Sequence, residues 1–362
     1  MAELFVGLMS GTSLDGVDAV LADFSTTPHL LASHGAAIPV ELRAKLLALN
    51  EPAFDDLTVA QDASVALAHL YAETTQTLLE QANVRASEVR AIGCHGQTVR
   101  HRPERGYSLQ LNQPSLIAEL CGIDVAADFR NRDIAAGGQG APLVPAFHQE
   151  VLGSAEESRV VLNLGGIANL TRLYPGEPVS GFDTGPANML LDAWIEAHMG
   201  KTFDDNGQWA ASGTIQQGLL SRLLAHPFFA LQPPKSCGRE EFSIGWVQSL
   251  LAGNESPADV QATLMELTTC SIARAIHAHS PAPSRLLVCG GGSRNGFLMQ
   301  RLAHHLPQPH IAPTDSLGVP SAWLEAFAFA WLAYKLVHRE PANLPAVTGA
   351  RGLRVLGALY PS

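Results

Sequence analysis

Asp183 stands between glycines in Gly181-Phe182-Asp183-Thr184-Gly185-Pro186-Ala187-Asn188, a segment that reads as a strand end running into a helix. A carboxylate fixed on such a turn can take a proton from an attacking hydroxyl or water. Asp183 or Thr184 could equally cap the helix that follows.

Three glycine-rich segments have the composition to lie against phosphate. In Gly7-Leu8-Met9-Ser10-Gly11-Thr12-Ser13-Leu14-Asp15-Gly16-Val17-Asp18, small residues admit an anion close to the backbone and hydroxyls add donors. Asp15 at its tip can orient a hydrated magnesium ion. Asn163-Leu164-Gly165-Gly166-Ile167-Ala168-Asn169 repeats the logic, with amide side chains on either side of a two-glycine tip. Gly290-Gly291-Gly292-Ser293-Arg294-Asn295-Gly296 follows a strand and precedes a helix, so its backbone can face a ring or a phosphate while Asn295 caps the helix. Each also reads as an ordinary tight turn.

Better-known motifs fail. Gly200-Lys201-Thr202 has Ile195 where a Walker loop needs its first glycine, and Asn295 stands where a dinucleotide fingerprint needs its third. Asp15 replaces the closing glycine of a nucleophile elbow around Ser13. His95, His101, His148, His304 and His305 show no H-x-x-x-H or H-E-x-x-H spacing, so no transition-metal site is expected. His95-Gly96-Gln97-Thr98-Val99-Arg100-His101 offers groups suited to sugar hydroxyls, and Asp128-Phe129-Arg130-Asn131-Arg132-Asp133 offers guanidinium groups for a carboxylate or phosphate. A structural ion pair is the competing reading of the second segment.

The elements that must carry these residues alternate. Leu4–Met9 and Val17–Ala22 read as a hairpin. Glu41–Leu49 and Leu57–Ala82 read as helices, Val89–Cys94 as a strand, Pro114–Cys121 as a helix and Ile123–Ala126 as a strand. A second strand–turn–strand follows at Arg159–Asn163 and Ala168–Leu173, suggesting a duplicated architecture. Helices are expected at Ala187–Met199, Ala258–His279, Arg294–Leu306 and Ala322–Leu336, and strands at Arg285–Cys289 and Leu353–Leu359. Gly137–Pro145, Gln232–Gly238 and Pro307–Pro320 read as loops.

At 362 residues, 46% hydrophobic and 16% charged, the chain suits two packed domains with a ligand cleft between them. A net charge of -11 argues against nucleic acid as partner. The amino-terminal residues lack a basic leader region and no apolar run is long enough to span a bilayer, so no membrane association and a cytoplasmic protein are expected. Five widely spaced cysteines fit reduced thiols.

The opening segment, together with Gly93-Cys94-His95-Gly96-Gln97-Thr98, Asp128-Phe129-Arg130, Ala136–Pro145, Asn163–Asn169, Gly181–Pro186, Cys289–Asn295 and the helix around Glu325, closely resembles the anhydro-N-acetylmuramic acid kinase family across the whole chain. The resemblance implies an α/β two-domain fold of the actin-like ATPase and sugar-kinase kind, with an ATP cleft between the domains. These would be residues 1–132, joined by 345–362, and residues 133–344. It implies cleavage of the 1,6-anhydro ring and phosphorylation of the 6-oxygen by ATP, giving N-acetylmuramic acid 6-phosphate and ADP. Asp183 would activate water. ATP would be held by Gly11, Thr12, Ser13, Leu14, Asp15, Gly16, Val17 and Asp18, by Asn163, Gly165 and Gly166, and by Gly290, Gly291, Gly292 and Asn295. Magnesium would sit near Asp15 through water, the amino sugar on Thr98, Arg130 and Glu325, and the resemblance also suggests a homodimer. Two other readings stand beside it: a nucleotide switch in which Asp183 is structural, and a conventional hexose kinase in which Asp183 deprotonates a sugar hydroxyl.

Overall fold

A computed structural model describes residues 2–11, 14, 16–50, 56–238 and 241–362. The strands are β1 (Leu4–Ser10), β2 (Gly16–Asp23), β3 (His29–Ala37), β4 (Val89–Cys94), β5 (Gln97–Arg102), β6 (Tyr107–Leu111), β7 (Val125–Ala127), β8 (Arg159–Leu164), β9 (Ile167–Leu173), β10 (Ser180–Pro186), β11 (Arg285–Cys289), β12 (His310–Pro313) and β13 (Ala358–Tyr360). They belong to two compact units, residues 1–151 with 318–362, and residues 152–317.

In the first unit the sheet runs β13-β7-β4-β1-β2-β3. β1, β2 and β3 are antiparallel neighbours, and β4 joins β1 in parallel. Strand β1 is buried on both faces by the alternation of its side chains. Leu4, Val6 and Leu8 pack with Leu67, Tyr71 and Leu78 of the Leu57–Ala82 helix. Phe5 meets Tyr334 of the Leu324–Val337 helix edge-on at 5.7 Å. On that second face Gly7 and Gly93 let helix backbone rest on strand backbone. A Cβ on Gly7 would collide with the Ala326 carbonyl oxygen and come within 2.6 Å of the Ala330 nitrogen, and one on Gly93 within 2.7 Å of the Phe329 carbonyl carbon. The Leu57–Ala82 helix begins where Asp56 accepts the amides of Thr58 and Val59, and ends at Asn83 with φ 52°.

The second unit has the order β10-β9-β8-β11-β12. β8, β9 and β10 are antiparallel and β8, β11 and β12 parallel. Setting aside the separate β5–β6 hairpin, each unit places its third, second, first, fourth and fifth strands side by side in the same sense. The duplicated architecture expected from the two hairpins is therefore present as topology. Val160, Leu162, Leu286 and Val288 form the core with Leu264, Leu267 and Ile272 of the Pro257–His279 helix. That helix starts on Ser256, whose hydroxyl accepts the Asp259 amide at 3.2 Å.

Several elements differ from the sequence expectation. Pro307–Pro320 is not all loop, because β12 lies within it, a four-residue edge strand whose flanking prolines hid its pattern. Strand β3 went unexpected because its mixed small and polar residues form a half-exposed sheet edge. Gly291–Arg294 is a 3-10 turn, so the α-helix expected from Arg294 begins at Gly296. The unit boundaries fall near residues 151 and 317 rather than 132 and 344. The Val144–Leu152 and Leu324–Val337 helices account for the shift, since Phe147 packs on Phe327 and Trp331. Among the described residues no helix is long and apolar enough to cross a membrane.

Candidate active site

The predicted residues divide between the two units. In the first, β1 delivers Ser10 and Gly11 to the hairpin tip, where the buried Ser10 hydroxyl shares a hydrogen bond of 2.6 Å with Tyr71 and donates to the Gly96 carbonyl at 3.3 Å. Ser10 thus ties the tip of β1 to the His95-Gly96 turn. Leu14 and Val17 are fully buried in the core, so any contact with ATP there falls to their backbones. Gly16 and Asp18 lie on β2, opposite Ala37 and Gly35 of β3. Thr12, Ser13 and Asp15 lie outside the described residues. Magnesium requires oxygen donors; Asp18 is the described carboxylate at this turn and fits that requirement.

Arg130, Thr98 and Glu325 share the first unit. Arg130 donates to the Gly140 carbonyl at 2.9 Å and to His95 Nε2 at 2.9 Å. Because a guanidinium can only donate, His95 accepts and is neutral; burial and the Arg130 charge hold its pKa well below the imidazole range. Burial also lowers Arg130 to about 10, opposed by the nearby Glu325 carboxylate, so the structure brings these two candidates into electrostatic reach. Thr98 Oγ1 accepts from Gln110 Nε2, which also donates to Ser108 Oγ, and the Asn131 side chain clamps the Ser108 backbone. Asp133, absent from the expected site, is fully buried. It accepts from the Gly140 amide, Asn343 and Thr348, fixing the loop on which Arg130 leans.

In the second unit the two glycine turns sit against each other. Asn163 and Cys289 are register partners at the ends of β8 and β11. A Cβ on Gly290 would lie 2.9 Å from the Leu164 carbonyl, and one on Gly292 would lie 2.7 Å from the Leu164 Cβ. Amides of Ala187, Asn188 and Met189 bond the carbonyls of Gly165 and Gly166, seating that turn on the start of the Asn188–Met199 helix. Asn295 Oδ1 caps the Gly296–His305 helix through the Leu298 amide at 3.1 Å. Gly291 differs from its neighbours: a Cβ there would meet nothing within 4 Å. Gly291→Ala is therefore expected to leave the urea unfolding midpoint unchanged. It should raise the KM for ATP about tenfold if a phosphate or ring rests on this turn, a steric cost of about 1.4 kcal/mol.

Asp183 is on β10 opposite Asn169, at a bulge that shifts register before Gly185. A bulge re-aims a side chain out of the strand's alternation. Gly185 has φ 141° and its missing side chain leaves space for Phe229, which a Cβ would approach to 2.7 Å. The 235–237 segment crosses β10 here: the Asp183 amide donates to the Lys235 carbonyl and the Cys237 amide donates to Asp183 Oδ2, both at 3.0 Å. Burial pushes the Asp183 carboxyl up to about 6 against the Cys237 hydrogen bond, with Glu241 raising it further and Lys235 opposing. The helix-cap alternative is not what the geometry gives: the cap position is Ala187 and makes no side-chain bond, while Thr184 donates to the Ala168 carbonyl. Lys235 and Cys237 were missed because Gln232–Gly238 carries only loop signals.

Twin sheets of one strand order, with glycine turns at strand ends, fit the actin-like ATPase and sugar-kinase fold class. Within that class the chain belongs to the anhydro-N-acetylmuramic acid kinase family, whose model matches residues 3–362. The anhydro-N-acetylmuramic acid kinase of Bordetella petrii is 57% identical over 99% of this chain and 96% of its own. Those of Thiobacillus denitrificans and Pseudomonas paraeruginosa are each 52% identical, covering 100% and 99% of this chain and 98% and 99% of theirs.

Proposed function

We propose that this kinase opens the 1,6-anhydro ring of anhydro-N-acetylmuramic acid and phosphorylates the freed 6-oxygen with ATP, as a step of cell-wall recycling. Asp183 takes a proton from water as the water oxygen attacks the anomeric carbon. The bond from that carbon to the bridging oxygen breaks, the same oxygen bonds the γ-phosphorus, and ADP leaves. Backbone amides of the glycine turns stabilise charge on the phosphoryl oxygens. Magnesium, when bound near the β1–β2 turn, neutralises phosphate charge. Arg130, Thr98 and Glu325 hold the sugar, and the reaction runs in the cytoplasm.

The observation that carries this reading is the Asp183 carboxyl, aimed by a bulge, held by one amide and raised to about 6. A carboxylate near that value is a stronger base than an ordinary surface aspartate and is still ionised at neutral pH. Heavy-oxygen water tests it: label is expected at the anomeric carbon of the product. Transfer without label would make Asp183 the base for a sugar hydroxyl, and ATP turnover indifferent to the sugar would favour the switch.

The pH dependence has a definite sign. Asp183 must be ionised to accept a proton, so kcat/KM should be level above about pH 6 and fall about tenfold per unit below it. A profile level down to pH 4.5 would assign the base to another group.

A further inference from the structure

We propose that Glu266, Cys270 and His305 form a zinc site on the second unit. No H-x-x-x-H spacing marks it, because its ligands come from two helices. Glu266 and Cys270 are four residues apart in the Pro257–His279 helix and so share a face, and His305 is in the last turn of the Gly296–His305 helix.

The three ligand atoms already form a triangle of suitable size. Cys270 Sγ lies 3.6 Å from His305 Nε2 and 3.7 Å from Glu266 Oε1, and the nitrogen and oxygen are 2.8 Å apart. With zinc–sulfur bonds of about 2.3 Å and zinc–nitrogen or zinc–oxygen bonds of about 2.0–2.1 Å, a tetrahedron has sulfur edges of about 3.5–3.6 Å and a nitrogen–oxygen edge of about 3.3 Å. Only the present His305–Glu266 hydrogen bond must open, by about 0.5 Å on that geometry. Sulfur, imidazole and carboxylate together suit zinc better than magnesium or calcium.

Arg301 supplies the supporting contact that metal carboxylates commonly have. Its Nε and one terminal nitrogen bond the two Glu266 oxygens at 2.9 and 2.8 Å, fixing the carboxylate plane. Glu266 is buried while Cys270 and His305 are partly exposed, so water can complete the fourth position. Zinc here would join two helices of the unit independently of the sugar and ATP chemistry.

Equilibrium dialysis of the intact, reduced chain against zinc chloride is expected to show one bound equivalent that Cys270→Ser and His305→Gln each weaken by about tenfold or more. Cobalt should give a thiolate-to-metal charge-transfer band that Cys270→Ser abolishes. Zinc should also slow alkylation of Cys270 in the unmutated chain, mapped by mass spectrometry, a readout that needs no variant to fold. Unchanged zinc affinity in Cys270→Ser, a cobalt spectrum without the thiolate band, or alkylation indifferent to zinc would leave Glu266, Arg301 and His305 as a structural ion-pair network only and overturn the proposal.

Discussion

Asp183→Asn is expected to lower kcat by about 10²–10⁴-fold while leaving ATP binding near normal, because it keeps the shape of the side chain and removes the proposed base. Single-turnover phosphate transfer and an ATP titration of the same preparation separate the two effects; unchanged turnover would remove Asp183 from the chemistry. The same change should make the protein more stable at high pH. The folded carboxyl titrates at about 6 and its ordinary value is 3.8. A raised folded pKa means the folded state prefers the protonated form, so ionisation costs stability, fully so above about pH 6 and not at all below about pH 4. Asp183 keeps some contact with solvent, which reduces the cost to about 1–3 kcal/mol. The asparagine variant should therefore unfold at higher urea than the parent at about pH 8 and at the same urea near pH 4.

Gly7→Ala is expected to destabilise the chain by about 3 kcal/mol or more, at the top of the range for overpacking. The obstacle is the Ala326 carbonyl and the Ala330 nitrogen, main-chain atoms of a helix that no rotamer change can move aside. Gly106→Ala is the matched control for added bulk, since a Cβ there meets nothing, although φ 85° will cost it something on its own. Urea denaturation should show a much lower midpoint for Gly7→Ala with the slope preserved. A midpoint within the control's range would mean that helix and strand do not touch as described.

What could be read from the sequence is what local backbone demands make visible. The glycine turns were legible because a sharp break at a strand end, whether into a returning strand or a helix, admits few residue types, and the long helices because their apolar spacing and caps are local. Lys235 and Cys237 at the Asp183 carboxylate, Asp133 beneath the Arg130 loop, and the Glu266, Cys270 and His305 triangle were not. Each is assembled by packing between segments far apart in the chain, and none has a spacing of its own. Edge strands β3 and β12 escaped for a related reason: with half their surface in solvent, they need no apolar alternation.

The glycine seats under the Leu324–Val337 helix also decide what can move. Side chains in an ordinary interface can slide by changing rotamer, whereas main chain against main chain cannot. Glu325 at the head of that helix and Ser10 at the end of β1 therefore travel as one solid piece. If Glu325 holds the sugar as proposed, a ligand that pulls on it carries the end of β1 along as a rigid push, with no chain of intermediate rearrangements.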